Sequence, residues 1–267
     1  MSVITLLTDF GRQDSFTAQM KGVILTINSA CRIIDITHEI DSFNIKKAAI
    51  TLGFCYKYFP TGTINVAVVD PGVGSNRRGI VAAAGGYYFV GPDNGIFSYI
   101  YQDCKDEVSV YHLTNNEIFL SNDSSTFHGR DVFAPVAAHL SKGFPIDKLG
   151  IKINDYIKIN IPKPQINKEI IKGEILYIDH FGNAITNIEG KYIPKKATVT
   201  FNGMDIKIIN YYGQADSDTP YAPYALINSS GLLELFIKNG HFAQEYLITE
   251  GQPVEIAKEF IPYHVQL

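Results

Sequence analysis

The sequence predicts two domains of different class: an α/β N-terminal domain on a largely parallel, layered sheet, and a smaller, all-β C-terminal domain. Up to about residue 160, apolar runs of strand length alternate with segments of helical spacing, which is typical of a layered α/β domain. Further on, helical patterning nearly disappears and short β-rich segments follow one another, as in a small barrel or sandwich. The proline-bearing stretch Ile161–Gln165 separates the two regions. We therefore expect domains at 1–160 and 170–267, joined by a linker at 161–169.

The N-terminal region alternates between strands and helices. The predicted strands are Val3–Thr8, Arg32–Ile36, Thr63–Val69, Gly79–Ala84 and Tyr87–Gly91. The last two of these are predicted to form a hairpin across the Gly85-Gly86 pair. The predicted helices are Ser15–Ile27, Ile45–Tyr58, Gly95–Tyr101 and Arg130–Leu140. Because Pro135 lacks a backbone N–H, we expect it to disturb the middle of the last helix.

The C-terminal region is predicted to consist of short strands. They are Ile170–Ile178, Ala197–Phe201, Met204–Ile209, Ala225–Ile227, Leu232–Phe236 and Val254–Ile256. This succession favours a barrel or sandwich over an open sheet flanked by helices.

Composition and charge argue against several classes of protein. A net charge of −4 does not suit a protein that holds nucleic acid by a basic patch. No run approaches the roughly 18 uninterrupted apolar residues of a membrane-spanning helix. The N-terminus lacks the basic start and cleavage site of a signal peptide, and the three cysteines have no metal-like spacing. We expect a cytoplasmic protein with reduced thiols and with neither a nucleic-acid nor a membrane partner.

Two loop-like segments carry residue types that can activate a water molecule. Asp70–Arg78 follows an apolar strand at once, and its glycines allow close approach of the backbone to a ligand. An arginine beside a carboxylate fixes the orientation of that carboxylate. Phe127–Asp131 precedes a helix and brings His128 close to the helix N-terminus. The alternatives are a structural turn with a surface ion pair and, in the second segment, a helix cap.

Further polar residues follow the first two predicted strands. Asp9 comes after the first strand, where a carboxylate can accept hydrogen bonds from a ribose diol or cap the next helix. Asp35 and His38 have DxxH spacing, which fits a metal site completed by Asp9, Asp70 and His128. A structural pair of Asp35 and His38 is the favoured alternative, because the spacing alone is unspecific.

Polar turns also lie between predicted strands. Asp179–Asn187 could bind an amine through Asp179 and a base edge through the amide of Asn183, or it is an ordinary β-turn. Asn228–Gly231 is a similar turn among the C-terminal strands. Gly91–Gly95, in the N-terminal region, is expected to be purely structural.

Taken in order, these segments share the pattern of one protein family. They are Thr8–Gly11, Asp35–His38, Asp70–Gly74 with Arg77, Pro92–Gly95, Phe127–Asp131, Asp179–Asn187 and Asn228–Gly231. In this order and spacing, from about Val3 to Val254, the chain resembles the S-adenosylmethionine hydroxide adenosyltransferases, relatives of the fluorinase and chlorinase enzymes.

The resemblance implies a fold, an assembly and a reaction. The fold would be an N-terminal α/β domain followed by a C-terminal β-barrel. The assembly would be a homotrimer, with each active site between the N-terminal domain of one subunit and the C-terminal domain of its neighbour. The reaction would be the hydrolysis of S-adenosyl-L-methionine to adenosine and L-methionine, with no metal and no cofactor.

The resemblance also implies roles for individual residues. The water-activating set falls on Asp70, Arg77 and His128. The substrate-binding positions fall on Asp9 at the ribose, Phe43 beside the ligand, and Asp179, Asn183, Ser229 and Ser230 at the methionine and adenine. Two positions depart from the family pattern. Ser230 replaces an arginine of the halogenating relatives, and Lys238 replaces an asparagine common in the hydrolytic ones, which puts contacts at the adenine edge in question.

Other functions are compatible with the same residues. One is a nucleoside-binding or S-adenosylmethionine-binding sensor with little turnover. A halogenase is disfavoured, because the carboxylate of Asp70 would repel a halide. A metal-dependent hydrolase would use Asp9, Asp35, His38, Asp70 and His128 as ligands.

Overall fold

The computed structural model describes residues 2–105, 107–120, 125–195, 197–216, 219 and 221–258, and within them the chain divides after Ile161. One compact unit ends at Ile161 and a second begins at Pro162. Inside the predicted linker, Gln165–Ile166 already forms a short strand.

The N-terminal unit interleaves strands with helices. Its strands are β1 (Val3–Thr8), β2 (Arg32–Thr37), β3 (Ile64–Val68), β4 (Gly79–Ala84), β5 (Tyr87–Pro92), β6 (Val108–Leu113) and β7 (Gly150–Ile153). Its α-helices are α1 (Phe16–Ile27), α2 (Ile45–Cys55), α3 (Ser98–Cys104) and α4 (Ala134–Ser141). Short 3₁₀ turns occur at Tyr56–Tyr58, Asn116–Ile118 and Ile146–Lys148. The sequence analysis did not predict β6 and β7.

The strands of this unit form one mixed sheet in the order β2-β1-β3-β5-β4-β6-β7. The pairs of β1 with β2, β1 with β3 and β3 with β5 are parallel. The pairs of β4 with β5, β4 with β6 and β6 with β7 are antiparallel. A largely parallel sheet is therefore not confirmed, because the hairpin at Gly85-Gly86 turns the chain back and two further strands add to its outer side. The hairpin itself is confirmed, with Ala84 opposite Tyr87.

Helices cover both faces of this sheet. Successive side chains of a strand point to opposite faces. In β1, Ile4 and Leu6 pack in one apolar cluster with Met20 of α1. Leu7 packs in the other cluster with Leu52 of α2. The layers are thus α1 with α4, the sheet, and α2 with α3.

The helix predicted at Arg130–Leu140 consists of two successive segments of different helical type. Gly129–Phe133 forms a π-helical turn, and the α-helix α4 starts directly after it. Pro135 stands in the first turn of α4, directly after this π-helical turn. The predicted disturbance in the middle of this range is confirmed, as a change of helix type just before the proline.

The C-terminal unit is almost entirely β-structure. Its strands are β8 (Gln165–Ile166), β9 (Ile170–Ile178), β10 (Ala184–Glu189), β11 (Ala197–Phe201), β12 (Met204–Ile208), β13 (Pro223–Ile227), β14 (Leu232–Ile237) and β15 (Pro253–Lys258). One short helix, α5, covers Phe242–Glu245. The sequence analysis did not predict β10. In the described residues of both units, no helix combines the length and the hydropathy that crossing a membrane requires.

Seven of these strands close into a barrel, which confirms the predicted architecture. Their order is β9-β10-β14-β13-β12-β11-β15, and β15 pairs again with β9. β8 adds to the outside of β9. The barrel is filled by apolar side chains, among them Ile175, Val199, Leu235 and Ile256.

Candidate active site

A cavity of about 270 Å³ opens in the N-terminal unit where β1 and β3 end. Both strands run parallel, so their carboxyl ends meet at one edge of the sheet, where open α/β sheets bind ligands. Four predicted site residues line this N-terminal pocket: Asp9, Phe43, Asp70 and His128.

Asp70 and Arg77 form a bidentate ion pair at the pocket wall. Arg77 Nε donates to Asp70 Oδ1 at 2.8 Å, and Arg77 Nη2 donates to Asp70 Oδ2. The two side chains are only 5% (Asp70) and 10% (Arg77) exposed. The structure therefore does not favour the alternative of a weak surface ion pair, because two parallel hydrogen bonds to a buried carboxylate fix its plane.

His128 contacts the same guanidinium. Its Nδ1 lies 2.7 Å from Arg77 Nη2. Since a guanidinium has only donors, Nδ1 acts as the acceptor, and the proton of a neutral His128 ring is on Nε2. Phe133 supports both residues, with its ring centroid 5.3 Å from Arg77 Cζ and 6.4 Å from the His128 ring. The pocket thus contains an oriented carboxylate and an oriented N–H donor.

The loop that carries Asp70 depends on a glycine. Gly74 has φ +79°, and a Cβ at this position would collide with the backbone oxygen of Ser125. Ser125 belongs to the segment that leads into His128. The close approach of these two backbones brings Arg77 within reach of His128.

Asp9 anchors the segment that carries Phe43. Asp9 Oδ2 accepts a hydrogen bond from the Phe43 backbone N–H at 2.9 Å. Phe43 has φ +68°, a conformation that L-residues rarely adopt, and its side chain is 68% exposed. The next residue, Asn44, caps α2 by accepting from Lys47 N. An aromatic ring is therefore held at the rim of the pocket on a constrained backbone.

Asp35 and His38 do not line the N-terminal pocket. His38 Nδ1 lies 2.9 Å from Thr8 Oγ1, and Asp35 Oδ2 accepts from Lys21 Nζ at 2.6 Å. Partial burial of Asp35 works against its ionisation, but the contacts with Lys21 and His38 outweigh this and lower the pKa of the carboxyl. Within the described ranges, no three His, Cys, Asp or Glu side chains converge as the ligands of a metal ion.

A second cavity, of about 360 Å³, lies in the C-terminal unit and is lined by side chains of β9, β10, β13 and β14 and of the turns that follow β9, β12 and β13. Of the predicted residues, Asp179, Ser229 and Ser230 line this C-terminal pocket, and Asn183 does not. Among the lining residues that sequence reasoning missed are Tyr177, Tyr212 and Glu234. The missed signal is Glu234, the one charged residue in the apolar strand β14.

Asp179 organises the turn that precedes β10. Its Oδ1 accepts from the backbone N–H groups of Phe181 at 2.9 Å and Asn183 at 2.8 Å. Its Oδ2 accepts from the Asn183 side-chain amide at 3.1 Å. Gly182 has φ +84°, and a Cβ at this position would collide with the ring of His241. The β-turn alternative is therefore right for the backbone, while Asp179 also faces the pocket.

Glu234 is 3% exposed and shares a hydrogen bond with Tyr212, whose hydroxyl donates to Oε1 at 2.5 Å. Burial raises the pKa of Glu234, hydrogen bonds from Tyr212 and Asn228 partly offset the rise, and the charge of Asp179 adds to it. Burial, together with the charges of Asp179 and Glu234, raises the pKa of Tyr177 to about 12. The C-terminal pocket thus concentrates acceptor groups, which suits a cationic or hydrogen-bond-donating ligand group.

The departure at Lys238 has a structural account. Lys238 Nζ donates to the backbone oxygen of Ala215 at 2.6 Å. Ala215 ends the segment that carries Tyr212. This lysine therefore supports the wall of the C-terminal pocket from behind.

Comparisons with known proteins find matches for both units of the chain. Residues 4–150 match the family model described as SAM hydroxide adenosyltransferase N-terminal domain, and residues 173–255 match the corresponding C-terminal domain. The chain is 36% identical over 257 residues to the (R)-S-adenosyl-L-methionine hydrolase of Methanocaldococcus jannaschii, with 88% of each chain covered. It is 33% identical over 262 residues to the protein of the same name from Thermus thermophilus, with 96% of this chain and 100% of the relative covered.

A solved structure is similar over the same range. The crystal structure of an uncharacterized conserved protein from Thermotoga maritima has a TM-score of 0.87 and 34% identity, and covers 96% of this chain and 100% of its own. With both domains matched in sequence and the whole chain matched in fold, the resemblance seen in the motifs is confirmed: the chain belongs to the S-adenosylmethionine hydroxide adenosyltransferase family.

Proposed function

We propose that this chain hydrolyses S-adenosyl-L-methionine to adenosine and L-methionine, with Asp70, Arg77 and His128 as the catalytic set. One observation carries the proposal: a single buried guanidinium contacts both Asp70 and His128 at the wall of one pocket. The family relatives named (R)-S-adenosyl-L-methionine hydrolase support the same substrate.

The donor and acceptor pattern of the set suits one water molecule. In the proposed mechanism, the Nε2–H of His128 donates to the water oxygen, and a carboxylate oxygen of Asp70 accepts one of its hydrogens. The second lone pair of the water is then directed at C5′ of the substrate. Holding the nucleophile in line and at near-attack distance removes much of the entropic barrier.

The chemistry balances without an acid for the leaving group. The water oxygen forms a bond to C5′ while the C5′–S bond breaks. The electron pair of the C5′–S bond stays on sulfur, which neutralises the sulfonium and gives the thioether of methionine. The proton released from the water passes to Asp70. The attacking oxygen becomes acidic as its bond to C5′ forms, so Asp70, oriented by its two hydrogen bonds from Arg77, takes the proton late.

Halide transfer is disfavoured at this pocket. A buried carboxylate beside the reacting carbon repels a second anion, and the contact with Arg77 already uses the nearest cation. The same Asp70 that suits a water nucleophile therefore opposes a halide.

We infer that the binding positions are completed by a second copy of the chain. Asp9 would accept hydrogen bonds from the ribose hydroxyls, and Phe43 would cover the nucleoside. Asp179 and Ser229 would bind the methionine end, with Ser230 adjacent. Asn183, which does not line the C-terminal pocket, would contribute by holding the Asp179 carboxylate through its side-chain amide. The family arrangement, a homotrimer with active sites between subunits, would bring the N-terminal pocket of one subunit to the C-terminal pocket of its neighbour.

The reaction is tested with the purified protein, S-adenosyl-L-methionine and excess EDTA. We expect adenosine and methionine to appear in equal amounts by chromatography, and their formation to be abolished in Asp70→Asn. If the wild-type protein binds adenosine but forms it only at a slow background rate, and Asp70→Asn leaves that rate unchanged, the protein is a nucleoside-binding sensor. Activity that is lost in EDTA and restored by a divalent metal would instead support the metal-dependent hydrolase.

A further inference from the structure

The Asp35–His38 motif has no part in the proposed mechanism, although its histidine is buried beside the N-terminal pocket. His38 is 4% exposed, and Thr8, its hydrogen-bond partner, is fully buried. Thr8 Oγ1 and His38 Nδ1 are 2.9 Å apart. Thr8 directly precedes Asp9, the carboxylate proposed to bind the ribose. A buried polar pair at this position requires an explanation, because such groups are costly to desolvate.

The surroundings of His38 fix the direction of this hydrogen bond. His38 Nε2 lies 3.1 Å from Asp35 Oδ1, although the ring N–H is not aimed straight at that oxygen. Beside a carboxylate, Nε2 carries the proton, which leaves Nδ1 of the neutral ring as an acceptor. The Thr8 hydroxyl therefore donates to Nδ1. Its oxygen then accepts from the backbone N–H of Phe10, 3.2 Å away.

Two further contacts connect the segment around Asp9 with the segment that follows His38. Gly11 N donates to the backbone oxygen of His38 at 2.8 Å. Asp9 Oδ2 accepts from Phe43 N at 2.9 Å. Thr8 and Phe10, the two neighbours of Asp9, are thus joined by a hydrogen bond from Phe10 N to the Thr8 hydroxyl. The carboxylate of Asp9 is bound by Phe43 N, in the segment that follows His38.

We propose that His38 is a positioning residue that acts through Thr8 to hold Asp9 at the angle needed to accept hydrogen bonds from both hydroxyls of a ribose. Asp35, with Lys21 at 2.6 Å, fixes the ring of His38 from the other side. This inference rests on the proposed function, since it takes the ligand to be a nucleoside.

Two substitutions of His38 distinguish the role of Nδ1 from that of Nε2. In His38→Asn, the side-chain oxygen occupies nearly the place of Nδ1 and can accept from Thr8. In His38→Gln, the amide reaches toward the place of Nε2, and the bond to Thr8 is lost. Thr8→Val removes the hydroxyl from the other end of the same bond and keeps the shape of the side chain.

The measurement is the ratio of the dissociation constants for 2′,3′-dideoxyadenosine and adenosine, determined by calorimetry. In the wild type, adenosine binds more tightly because of its two hydroxyls. We expect this ratio to fall several-fold, up to about tenfold, in His38→Gln and Thr8→Val, the effect of weakening about one hydrogen bond. His38→Asn should keep the ratio within about twofold of wild type. A general structural defect would weaken both nucleosides equally and leave the ratio unchanged.

The positioning role is overturned if the ratio is unchanged in His38→Gln and Thr8→Val. It is also overturned if the ratio falls as much in His38→Asn as in those two variants. If His38→Gln does not fold, Thr8→Val decides the question alone. The proposed function fails separately: wild-type protein would then neither bind adenosine nor release it from S-adenosyl-L-methionine, and the positioning role would be overturned with it.

Discussion

Arg77 donates to both carboxylate oxygens of Asp70, so the carboxylate that lines the N-terminal pocket is held as one half of a rigid pair. The same Nη2 also contacts His128 Nδ1. Arg77 therefore does not need to touch the substrate to matter, since it sets the plane of the carboxylate and the tautomer of the imidazole together. Its planar fork, rather than its charge, is the property that the site requires.

Arg77→Lys tests this geometric role. A lysine keeps the positive charge but cannot form two parallel hydrogen bonds and a third to His128. We expect kcat for adenosine formation to fall about 10²-fold, the size of effect that a displacement of about 1 Å produces. The dissociation constant for adenosine should change little.

The matched control is Arg78→Lys. Arg78 binds Asp93 and Asp155, away from the N-terminal pocket. We expect Arg78→Lys to lower the melting temperature and to leave kcat near that of wild type. Equal losses of kcat in both variants would show that loop stability, and not the fork of Arg77, explains the effect.

Gly74→Ala tests the close approach of the two catalytic loops. A methyl group here adds the cost of a left-handed backbone, about 1–2 kcal/mol, and also collides with the backbone oxygen of Ser125. We expect lower stability and a reduced kcat, because the segment leading into His128 must move. Gly62→Ala is the control, since Gly62 has φ +87° and open space around its Cβ position. It should lose stability by denaturant unfolding but keep its kcat.

The contact between Asp70 and Arg77 could be predicted from sequence because both residues belong to one local motif. Asp70 and Arg77 are seven residues apart in one loop, and the turn at Gly72–Gly74 brings them together. The early strands were predicted for a similar reason, since their apolar residues are contiguous. β7 was missed because it has four residues and its Ile151 is 64% exposed, which leaves no periodic signal.

Residues whose role depends on distant partners were not predictable. β10 contains Thr186 and Asn187, which favoured a polar turn in the sequence analysis. In the structure, Thr186 Oγ1 donates to Leu233 O, and Asn187 Nδ2 donates to Pro162 O. Tertiary contacts thus satisfy polar groups that the sequence presents as solvent-exposed. Glu234 was missed likewise, because its partner Tyr212 is 22 residues away.

The raised pKa of Glu234 predicts a pH-dependent stability. The folded state favours the protonated carboxyl, so its stabilising contribution is complete below the ordinary pKa of 4.5 and is lost as the pH rises through the folded-state value. Glu234→Gln keeps a neutral side chain at every pH. We expect the melting temperature of Glu234→Gln to increase relative to that of wild type as the pH rises from 4.5 to 8.

Glu255→Gln serves as the comparison for this pH series. Glu255 lies on β15, is 42% exposed in its side chain and pairs with Lys172. Its effect on the melting temperature should be small and nearly constant over the same range. A difference between Glu234→Gln and wild type that stays flat with pH would contradict a raised pKa of the buried Glu234.

Subunit complementation tests whether the two pockets form one site between copies of the chain. Asp70→Asn inactivates the N-terminal pocket, and Asp179→Ala inactivates the C-terminal pocket. When the two inactive variants are mixed in equal amounts, dissociated and reassembled, a site between subunits has both halves intact about one time in four for random assembly. We expect about a quarter of the wild-type rate of adenosine formation, together with a trimer mass by light scattering. A site contained within one subunit would give no recovery, since every chain in the mixture carries one defective half.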